Sequence, residues 1–433
     1  MPTPAEFARR RRQLMRMVGP EGLVIVPAAE EKIRNGDSAF PFRQDSDFLY
    51  LTGFEEPEAL LVLAPGRKQA QSLLFCRQRD PDRERWDGPR MGLDGARSEL
   101  GMDDAYPFSD IDEIVPGLME GRERIHYAVG RNGGFDQRVV GWLNELRKRR
   151  RGVEAPEELI SLEHALHDMR LFKSRGELTR LRRAARISAR AISRAMGICR
   201  PGLNESDLHA ELVHEYQRNR CPAAYQPIVA GGENALILHY VTNSKPLDAG
   251  DLVLIDAGCE VEGYAADISR TFPVSGTFSG PQKALYEIVL AAQAEAIDQV
   301  RPGKPWEEFH RAAVQVLCQG LVDEGLLGGN LDEELATESW KRFYMHKTGH
   351  WLGLDVHDVG DYTVDGHSRM LEKGMVLTVE PGLYIRNEAD IPEAFRGIGI
   401  RIEDDVVVTD GDPEVLTSDV PRQTADIESL MAG

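Results

Sequence analysis

The sequence has few cysteines, and they are scattered along the chain. Its 433 residues include five, namely Cys76, Cys199, Cys221, Cys259 and Cys318. An odd number without C-x-x-C spacing excludes a full disulfide framework and disfavours a structural zinc site. We therefore expect a reducing, cytoplasmic compartment.

Long apolar runs and an excess of positive charge are also missing. No run approaches the roughly 20 apolar residues that span a bilayer, so no membrane segment is expected. The net charge of −19 disfavours nucleic acid and anionic membranes as partners. The arginine run at 9–12 lacks a following apolar segment and predicts no export signal. Phe7, Leu14 and Met17 instead predict a first helix with the arginines on its solvated face.

What remains is typical of a globular chain of two domains, with 42% hydrophobic and 28% charged residues. Short apolar runs alternate with polar stretches between residues 22 and 130 and predict an α/β domain. They are GLVIVPA, SDFLYLTGF, EALLVLAPG, QSLLFCR and IHYAVG. The composition changes between residues 150 and 175. A long helix is predicted from Ser174 to Pro201, and another from Asn204. We place the domains at 1–171 and 172–433.

The second domain contains an internal repeat with a shift of 124 residues. LDAGDLVLIDAG at 247–258 matches LEKGMVLTVEPG at 371–382, so Asp256 corresponds to Glu380. A further strand follows each copy and carries Asp267 or Glu403. The pattern predicts two facing strand pairs in which each strand contributes one acid. Helices at about 280–300 and 305–325 would cover the sheet.

Four acids at matching strand positions indicate a metal site, although Asp256 alone would be a turn or cap residue. If EVEG forms a tight turn, Asp256 and Asp267 lie opposite each other. Such neighbours repel without a cation. Four carboxylates balance two divalent ions, and oxygen ligands with one imidazole suit Mn(II), Co(II), Zn(II) or Fe(II).

The imidazole is expected from His346, His350 or His357, which cluster beside WLGLDV. His239 is a weaker candidate, because it could equally well be a hydrogen-bonded histidine in the core. Arg401 shares a strand face with Glu403 and would orient that carboxylate or form an ordinary ion pair. Asp404 and Asp405 are expected in solvent or a turn.

Several segments together resemble the pita-bread metallopeptidases, and within them the bacterial aminopeptidase P branch. They are HYVTN, LVLIDAGCEVEGYAADISRTFPV, HWLGLDVHD, VLTVEPGLYI and GIGIRIEDDVVVT. FPFRQDSDFLYLTGF and DMRLFKS extend the resemblance through nearly the whole chain, although Phe40 stands where the branch has tyrosine. The resemblance implies an α/β N-terminal domain and an α+β catalytic domain with pseudo-twofold symmetry.

The resemblance also implies the roles of individual residues. Asp267 and Glu403 would bridge two ions, which we expect to be Mn(II). Asp256 would bind one ion, and His350 with Glu380 would bind the other. His239, His357 and Arg401 would surround the bridging solvent, with Glu380 passing a proton to the leaving nitrogen. His346 and Tyr384 would contact substrate. The implied reaction is release of the first residue from peptides with proline second, by a metal-bridging hydroxide.

The sequence is also compatible with other functions. A prolidase, which cleaves Xaa-Pro dipeptides, would use the same ligands, whereas a methionine aminopeptidase usually lacks the first domain. A non-catalytic pita-bread binding module would have lost ligands, and none is lost here. By analogy the first domain would restrict access to the site and build a dimer or tetramer. Trp86 would then reach a neighbouring subunit's pocket, or else be an ordinary aromatic residue.

Overall fold

The chain folds into two compact units. The computed structural model describes residues 3–148 and 154–433. The units are Met1–Met169 and Arg170–Gly433, whereas the sequence placed the boundary near residue 172. Part of the composition change, at 149–153, lies outside the described residues. In the described part of the chain, no helix combines the length and apolar character needed to cross a membrane.

The first unit alternates strands and helices, in agreement with the predicted α/β class. Its elements are α1 (Pro4–Val18), β1 (Gly22–Pro27), β2 (Ile33–Asn35), β3 (Ser38–Ala39), α2 (Ser46–Thr52), β4 (Leu60–Leu63), β5 (Ser72–Cys76), α3 (Pro81–Asp87), α4 (Gly92–Ser98), β6 (Asp104–Pro107), α5 (Ile111–Met119), β7 (Arg124–His126), α6 (Gly133–Lys148) and β8 (Glu158–Ile160). Helix α7 (Glu163–Leu171) contains the boundary between the units.

Over the described residues, the strands of the first unit form a six-stranded sheet in the order β6-β5-β4-β1-β7-β8. β1 pairs antiparallel with β4 and parallel with β7. Every residue of β4 and β5 is buried. Strands buried on both faces read as continuous apolar runs, which is why LLVL and SLLFC were recognisable in the sequence.

Two expectations for the first unit were wrong. SDFLYLT forms helix α2 rather than a strand, because the Asp45 side chain accepts the Phe48 amide hydrogen and caps a helix. In α1, Met17 is exposed, while Arg10 and Arg11 are buried. Their guanidinium groups donate to the carbonyls of Tyr50 and Leu51. Backbone acceptors therefore satisfy these arginines inside the unit.

The second unit contains the remaining elements. They are α8 (Arg175–Ile198), α9 (Glu205–Arg218), β9 (Ile228–Gly231), β10 (Leu252–Asp256), β11 (Glu260–Val261), β12 (Tyr264–Ala265), β13 (Ser269–Pro273), α10 (Gly280–Asp298), α11 (Glu307–Asp323), α12 (Leu331–Thr337), β14 (Thr363–Val364), β15 (His367–Ser368), β16 (Val376–Val379), β17 (Gly382–Ile385), β18 (Ile398–Arg401), β19 (Asp404–Val407), β20 (Glu414–Val415) and α13 (Thr424–Ala432).

The helix starts follow the predicted capping residues. Ser174 and Glu177 form a reciprocal capping box at the start of α8. Asn204 caps α9 in the same way. The predicted helices near 280–300 and 305–325 are present as α10 and α11.

The internal repeat is visible in the strands. β10 begins at Leu252 and β16 at Val376, which is the predicted shift of 124 residues. Each is an antiparallel partner of a later strand, β13 for β10 and β19 for β16. The glycines that follow Asp256 and Glu380 both leave room for a neighbouring backbone carbonyl. A Cβ on Gly258 would lie 1.7 Å from the Ala266 carbonyl oxygen, and one on Gly382 would lie 2.7 Å from that of Ile400.

Candidate active site

A cavity of about 580 Å³ in the second unit collects the predicted acids and histidines. Its walls include the four acids of the repeat, five other predicted site residues and several aromatic residues. The members that carry chemistry are Asp256, Asp267, Glu380, Glu403, His239, His346, His350, His357 and Arg401. Sequence positions up to 164 residues apart therefore meet in one place, since the repeat brings its strand ends together.

The first pair of acids is close, but not in the predicted register. The turn at Glu262 is tight, as expected, and β11 and β12 pair across it. However, the residue opposite Asp256 is Ser269, two positions beyond Asp267. The expectation that the two acids lie directly opposite each other was thus wrong, because β13 begins only after Asp267.

Tyr225 joins these two acids. Its hydroxyl lies 2.6 Å from Oδ1 of Asp256 and 2.5 Å from Oδ1 of Asp267. Burial and the two neighbouring carboxylates hold the pKa of Tyr225 well above its ordinary value, so the hydroxyl stays protonated as a donor. No sequence pattern indicated this residue, since it lies in an irregular segment before β9.

The second pair, Glu380 and Glu403, is held against the first pair by β13. The Ser269 hydroxyl donates to Oε2 of Glu403 at 2.8 Å. The amide of Glu403 donates to the Ser269 carbonyl at 3.0 Å. On the other side, the Glu380 amide donates to the Thr348 carbonyl at 2.7 Å. Both acids are fixed through their own backbone amides, and Glu403 is fixed through its side chain as well.

Three of the four acids lack sufficient positive charge from the protein. The fourth is Asp267: burial would raise its pKa, but the neighbouring His350 lowers it. Burial and the nearby Asp267 raise the pKa of Glu403 well above its ordinary range. Burial raises the pKa of Glu380 to about 7. Burial and Asp267 also raise the pKa of Asp256. Carboxyl groups in this state are short of a cation, which is the condition that divalent ions relieve.

His350 is the histidine that faces the acids. Its Nε2 lies 3.5 Å from Oδ2 of Asp267 and 3.7 Å from Oε1 of Glu380. Burial alone would lower the pKa of His350, but the hydrogen bond to Asp267 and the charge of Glu380 raise it to about 9. Its Nδ1 lies 3.0 Å from the Trp351 carbonyl oxygen. In the neutral ring this bond leaves Nε2 as the nitrogen that can bind a metal.

The donor atoms fit a metal ion. Ligand atoms of Asp267, His350 and Glu403 all lie within 4.8 Å of one another. Two ligands on one ion are separated by at most roughly twice the ~2.1 Å metal–ligand distance, so small side-chain rotations bring all three to a shared ion. Buried oxygen donors with one imidazole nitrogen are chemically suited to a divalent metal.

Arg401 lies behind the acids and pairs with Asp256 rather than with Glu403. Its Nη2 donates to Oδ2 of Asp256 at 2.6 Å, and its Nε donates to the Ser269 hydroxyl at 2.9 Å. Its Nη1 donates to the Tyr384 hydroxyl at 3.0 Å. Arg401 therefore orients one acid and one hydroxyl at once.

The other histidines occupy different parts of the wall. His346 shares a hydrogen bond of 2.9 Å between its Nε2 and the buried Tyr384 hydroxyl. Burial, together with the charge of Arg401, lowers the pKa of His346 to about 3, which keeps its ring neutral. The ring of His357 lies 4.3 Å from that of His350. His239 is an exposed residue of the wall and not a core histidine.

Two neighbouring acids were misplaced by the sequence analysis. Asp404 and Asp405 are buried, 0% and 1% exposed, rather than in solvent or a turn. Asp404 forms a 2.7 Å ion pair with the equally buried Arg270. Asp405 accepts the Asp267 amide hydrogen at 3.3 Å. These two acids support the strands that carry the site, and neither lines the cavity.

An aromatic wall was also missed. Trp306, Phe309 and Tyr362 line the cavity together with His310. The ring of Trp306 lies 4.9 Å from that of Phe309 and 4.7 Å from that of Tyr362. Part of the cavity wall is consequently apolar. Trp86, by contrast, belongs to the first unit and is 88% exposed.

Comparison with known families gives two matches. The family described as aminopeptidase P, N-terminal domain, matches residues 7–127. Metallopeptidase family M24 matches residues 179–410. Together they cover most of both units.

Whole-chain relatives agree with these matches. The chain is 47% identical to an Xaa-Pro aminopeptidase of Escherichia coli K12, over 98% of this chain and 97% of the relative. It is 41% identical to an Xaa-Pro aminopeptidase of Haemophilus influenzae, with the same coverage of 98% and 97%.

Solved structures share the fold. That of Pseudomonas aeruginosa aminopeptidase PepP superposes with a TM-score of 0.98 at 54% identity, over 99% of this chain and 98% of that one. That of E. coli aminopeptidase P with the inhibitor Pro-Leu gives 0.96 at 46% identity, over 99% and 98%. The predicted fold class, an α/β domain followed by a pita-bread domain, is confirmed.

Proposed function

The chain belongs to metallopeptidase family M24, and from that premise we propose that it is an Xaa-Pro aminopeptidase, which releases the first residue of peptides that have proline second. One observation carries the proposal: four acids line a single cavity together with His350 and Arg401. Asp267 and Glu403 are buried, and the other two acids are half-buried. The relatives that match along nearly the whole chain are Xaa-Pro aminopeptidases. The prolidase alternative has no comparable support from them.

As a metallopeptidase the enzyme depends on divalent metal ions. We propose two of them, held by Asp256, Asp267, His350, Glu380 and Glu403, because four carboxylates balance two divalent charges. Oxygen-rich ligands suit Mn(II), although Co(II), Zn(II) and Fe(II) also accept this set. When bound, such ions polarise a carbonyl and lower the pKa of a coordinated water. All five ligand positions are occupied by coordinating residues, which argues against a non-catalytic binding module.

We assign the remaining catalytic roles to residues in and around the proposed metal ligands. His239 and His357 face the cavity and are placed to donate hydrogen bonds to the oxygen of the scissile carbonyl as it gains charge. Glu380 is the group we assign to carry a proton to the leaving nitrogen. Arg401 holds Asp256 in orientation through its 2.6 Å bond.

Substrate recognition follows from the chemistry of an Xaa-Pro bond. The proline nitrogen carries no hydrogen, so a site for this bond cannot use the usual amide donor. We assign the proline side to His346, which lines the cavity with a neutral ring, and to Tyr384, which is buried behind it and holds that ring through their mutual hydrogen bond. The cationic N-terminus of a peptide suits the acidic cavity.

The first unit corresponds to the N-terminal domain family, and we propose that it contributes oligomer contacts and restricts access to the site. The proposed domains are 1–171 and 172–433, and the proposed assembly is a homotetramer. Helix α3 has no buried residue, and its Trp86 is 88% exposed. A large exposed aromatic suits a subunit interface. Five free thiols agree with a cytoplasmic location.

The first experiment is hydrolysis of three peptides by chelator-treated protein, with and without added Mn(II). The peptides are an Xaa-Pro-Xaa tripeptide, an Xaa-Pro dipeptide and an Xaa-Ala-Xaa tripeptide. We expect metal-restored release of the first residue from the proline tripeptide alone. Preference for the dipeptide would indicate a prolidase, and absence of metal-dependent cleavage would favour a binding module.

A further inference from the structure

Glu205 is a fully buried acid that lies outside the cavity, at the first position of α9. Its carboxylate accepts four hydrogen bonds. Oε1 accepts from the amide of Gly231 at 2.7 Å and the side-chain amide of Asn234 at 2.9 Å. Oε2 accepts from the hydroxyl of Tyr240 and the amide of Lys245, both at 2.8 Å. Four charge-assisted bonds on one buried carboxylate make it a strong structural anchor.

All four donors belong to one segment, residues 231–245, which leads from the end of β9 toward β10. His239 lies within this segment, with the first two donors before it and the last two after it. In addition, the backbone amide of Glu205 donates a hydrogen bond to the carbonyl of Lys245 at 3.0 Å, so residues 205 and 245 are joined by hydrogen bonds in both directions. Glu205 therefore fixes the loop on both sides of the histidine.

His239 depends on its loop for its position. Among the described residues, no side-chain hydrogen bond of His239 is present, and the residue is exposed on the cavity wall. His346 and His350, by contrast, each have hydrogen bonds from their own rings. The location of the His239 ring is thus determined by the backbone that carries it.

The ammonium group of Lys245 does not neutralise Glu205, because it binds Asp251 at 3.0 Å. The charge of Glu205 is instead balanced by the four donors and by the N-terminus of α9. Two of those donors are backbone amides, which cannot rotate to become acceptors. An amide side chain at position 205 would point its NH2 group at one of them, whichever way it is turned.

We infer that Glu205 is a positioning residue for the reaction, acting through His239, which it holds at the cavity wall by anchoring residues 231–245. The inference rests on the proposed function, in which His239 donates to the reacting carbonyl. It predicts that removing the anchor affects turnover only while the histidine is present.

The test is a double-mutant cycle of Glu205→Gln and His239→Ala in the full-length, Mn(II)-loaded enzyme. A misplaced catalytic group costs on the order of tenfold to a hundredfold in rate, so we expect Glu205→Gln to lower kcat by that factor with little change in KM. In the His239→Ala background the same substitution should change kcat less than about twofold. The bound metal per chain should stay that of the wild type.

The matched control is Glu177→Gln. Glu177 is also a buried acid in the first turn of a helix, and it also accepts from a backbone amide and a tyrosine, the amide of Ser174 and the hydroxyl of Tyr264. The effect of Glu177→Gln on kcat, whatever its size, should be the same in the wild-type and His239→Ala backgrounds. Circular dichroism supplies the folded fraction by which each kcat is divided.

Tyr240→Phe is the second variant, for the case in which Glu205→Gln does not fold. It removes one donor from the same carboxylate without adding an unpaired group, and we expect a smaller loss of kcat that again disappears in the His239→Ala background. Equal effects in both backgrounds would overturn the role of Glu205. Full kcat in His239→Ala alone would overturn the role given to His239, and the inference with it, while metal-dependent Xaa-Pro cleavage itself would stand.

Discussion

Asp358→Asn should destabilise the catalytic unit strongly, although the residue is outside the cavity. Oδ2 of Asp358 accepts from the Lys173 ammonium at 2.9 Å, and Oδ1 accepts from Arg170 at 2.6 Å. The side chains of all three are at most 2% exposed. Removing one partner of a buried ion pair leaves an uncompensated charge and typically costs about 3–5 kcal/mol.

The measurement is urea unfolding followed by tryptophan fluorescence, since Trp306, Trp340 and Trp351 are buried in this unit. Asp355→Asn is the control, because Asp355 pairs with the same Arg170 at 2.7 Å but its side chain is 37% exposed. A pair of that exposure is worth at most about 1 kcal/mol.

Adding Lys173→Met to Asp358→Asn removes the charge that the single substitution leaves unpaired. The double variant should therefore lose less stability than the sum of the two single variants, by roughly 0.5–3 kcal/mol. If Asp358→Asn unfolded within about 1 kcal/mol of the wild type, or if the two substitutions were additive, the assignment of a coupled buried cluster would be refuted.

Three further outcomes are expected. Although burial opposes it, the cations beside Asp358 and Asp404 lower the pKa of both acids. The stability that these ion pairs contribute is complete above the unfolded-state pKa of about 3.9 and is lost as the pH falls through the lower folded-state values. Thermal unfolding scans should therefore show a flat Tm at pH 5 to 6 and a steep decrease below pH 4, and a decrease confined to higher pH would contradict this assignment. His350→Ala should reduce the amount of Mn(II) bound per chain, measured by elemental analysis after gel filtration. It should also lower kcat by about a hundredfold or more, the size of effect expected when a metal ligand is lost. Unchanged metal content would remove His350 from the proposed ligand set. Tyr225→Phe should weaken Mn(II) binding in calorimetry by about tenfold to a hundredfold, because the hydroxyl orients two carboxylates that we propose as metal ligands. Equal or tighter binding would count against that role.

The sequence predicted those parts of the molecule that depend on local chemistry or on periodicity. The cap at Ser174 involves a partner three residues away, and the repeat is a comparison of the chain with itself. Both acids at the ends of β10 and β16 were recognised because a carboxylate closing an apolar strand is unusual. These features need no knowledge of the tertiary fold.

The features that were missed depend on distant partners. Arg11 is buried because carbonyls at Leu51 and Leu100 accept its hydrogens, and those acceptors are 40 and 89 positions away. Asp404 is buried because Arg270, 134 positions earlier, neutralises it. Tyr225 lies in an irregular segment without periodicity. In each case the residue type alone favoured the surface, and only tertiary contacts reversed the preference.

The direction of the pKa shifts separates the two ways in which this unit buries acids. Asp358 and Asp404 lie against lysine or arginine side chains, and their pKa values are lowered. Glu380 and Glu403 lie against other acids, and their pKa values are raised. The first group is neutralised by the protein itself and is structural. Asp256 belongs with this second group, whereas the neighbouring His350 lowers the pKa of Asp267 although burial opposes it. Arg401 and His350 do not balance all four acids, so the remaining charge must be met by protons or by bound cations.

Asp405 tests this distinction. It is buried and its pKa is raised well above the ordinary range by burial and by Asp267, yet it does not line the cavity. Its carboxylate accepts the amide hydrogen of Asp267, a proposed bridging ligand. Asp405 therefore shares the excess negative charge of the site without reaching its interior, and divalent ions at Asp267 would relieve both residues. A protein that buries five acids together with so few cations of its own is stabilised most when metal is bound, which makes metal binding and the stability of this unit thermodynamically linked.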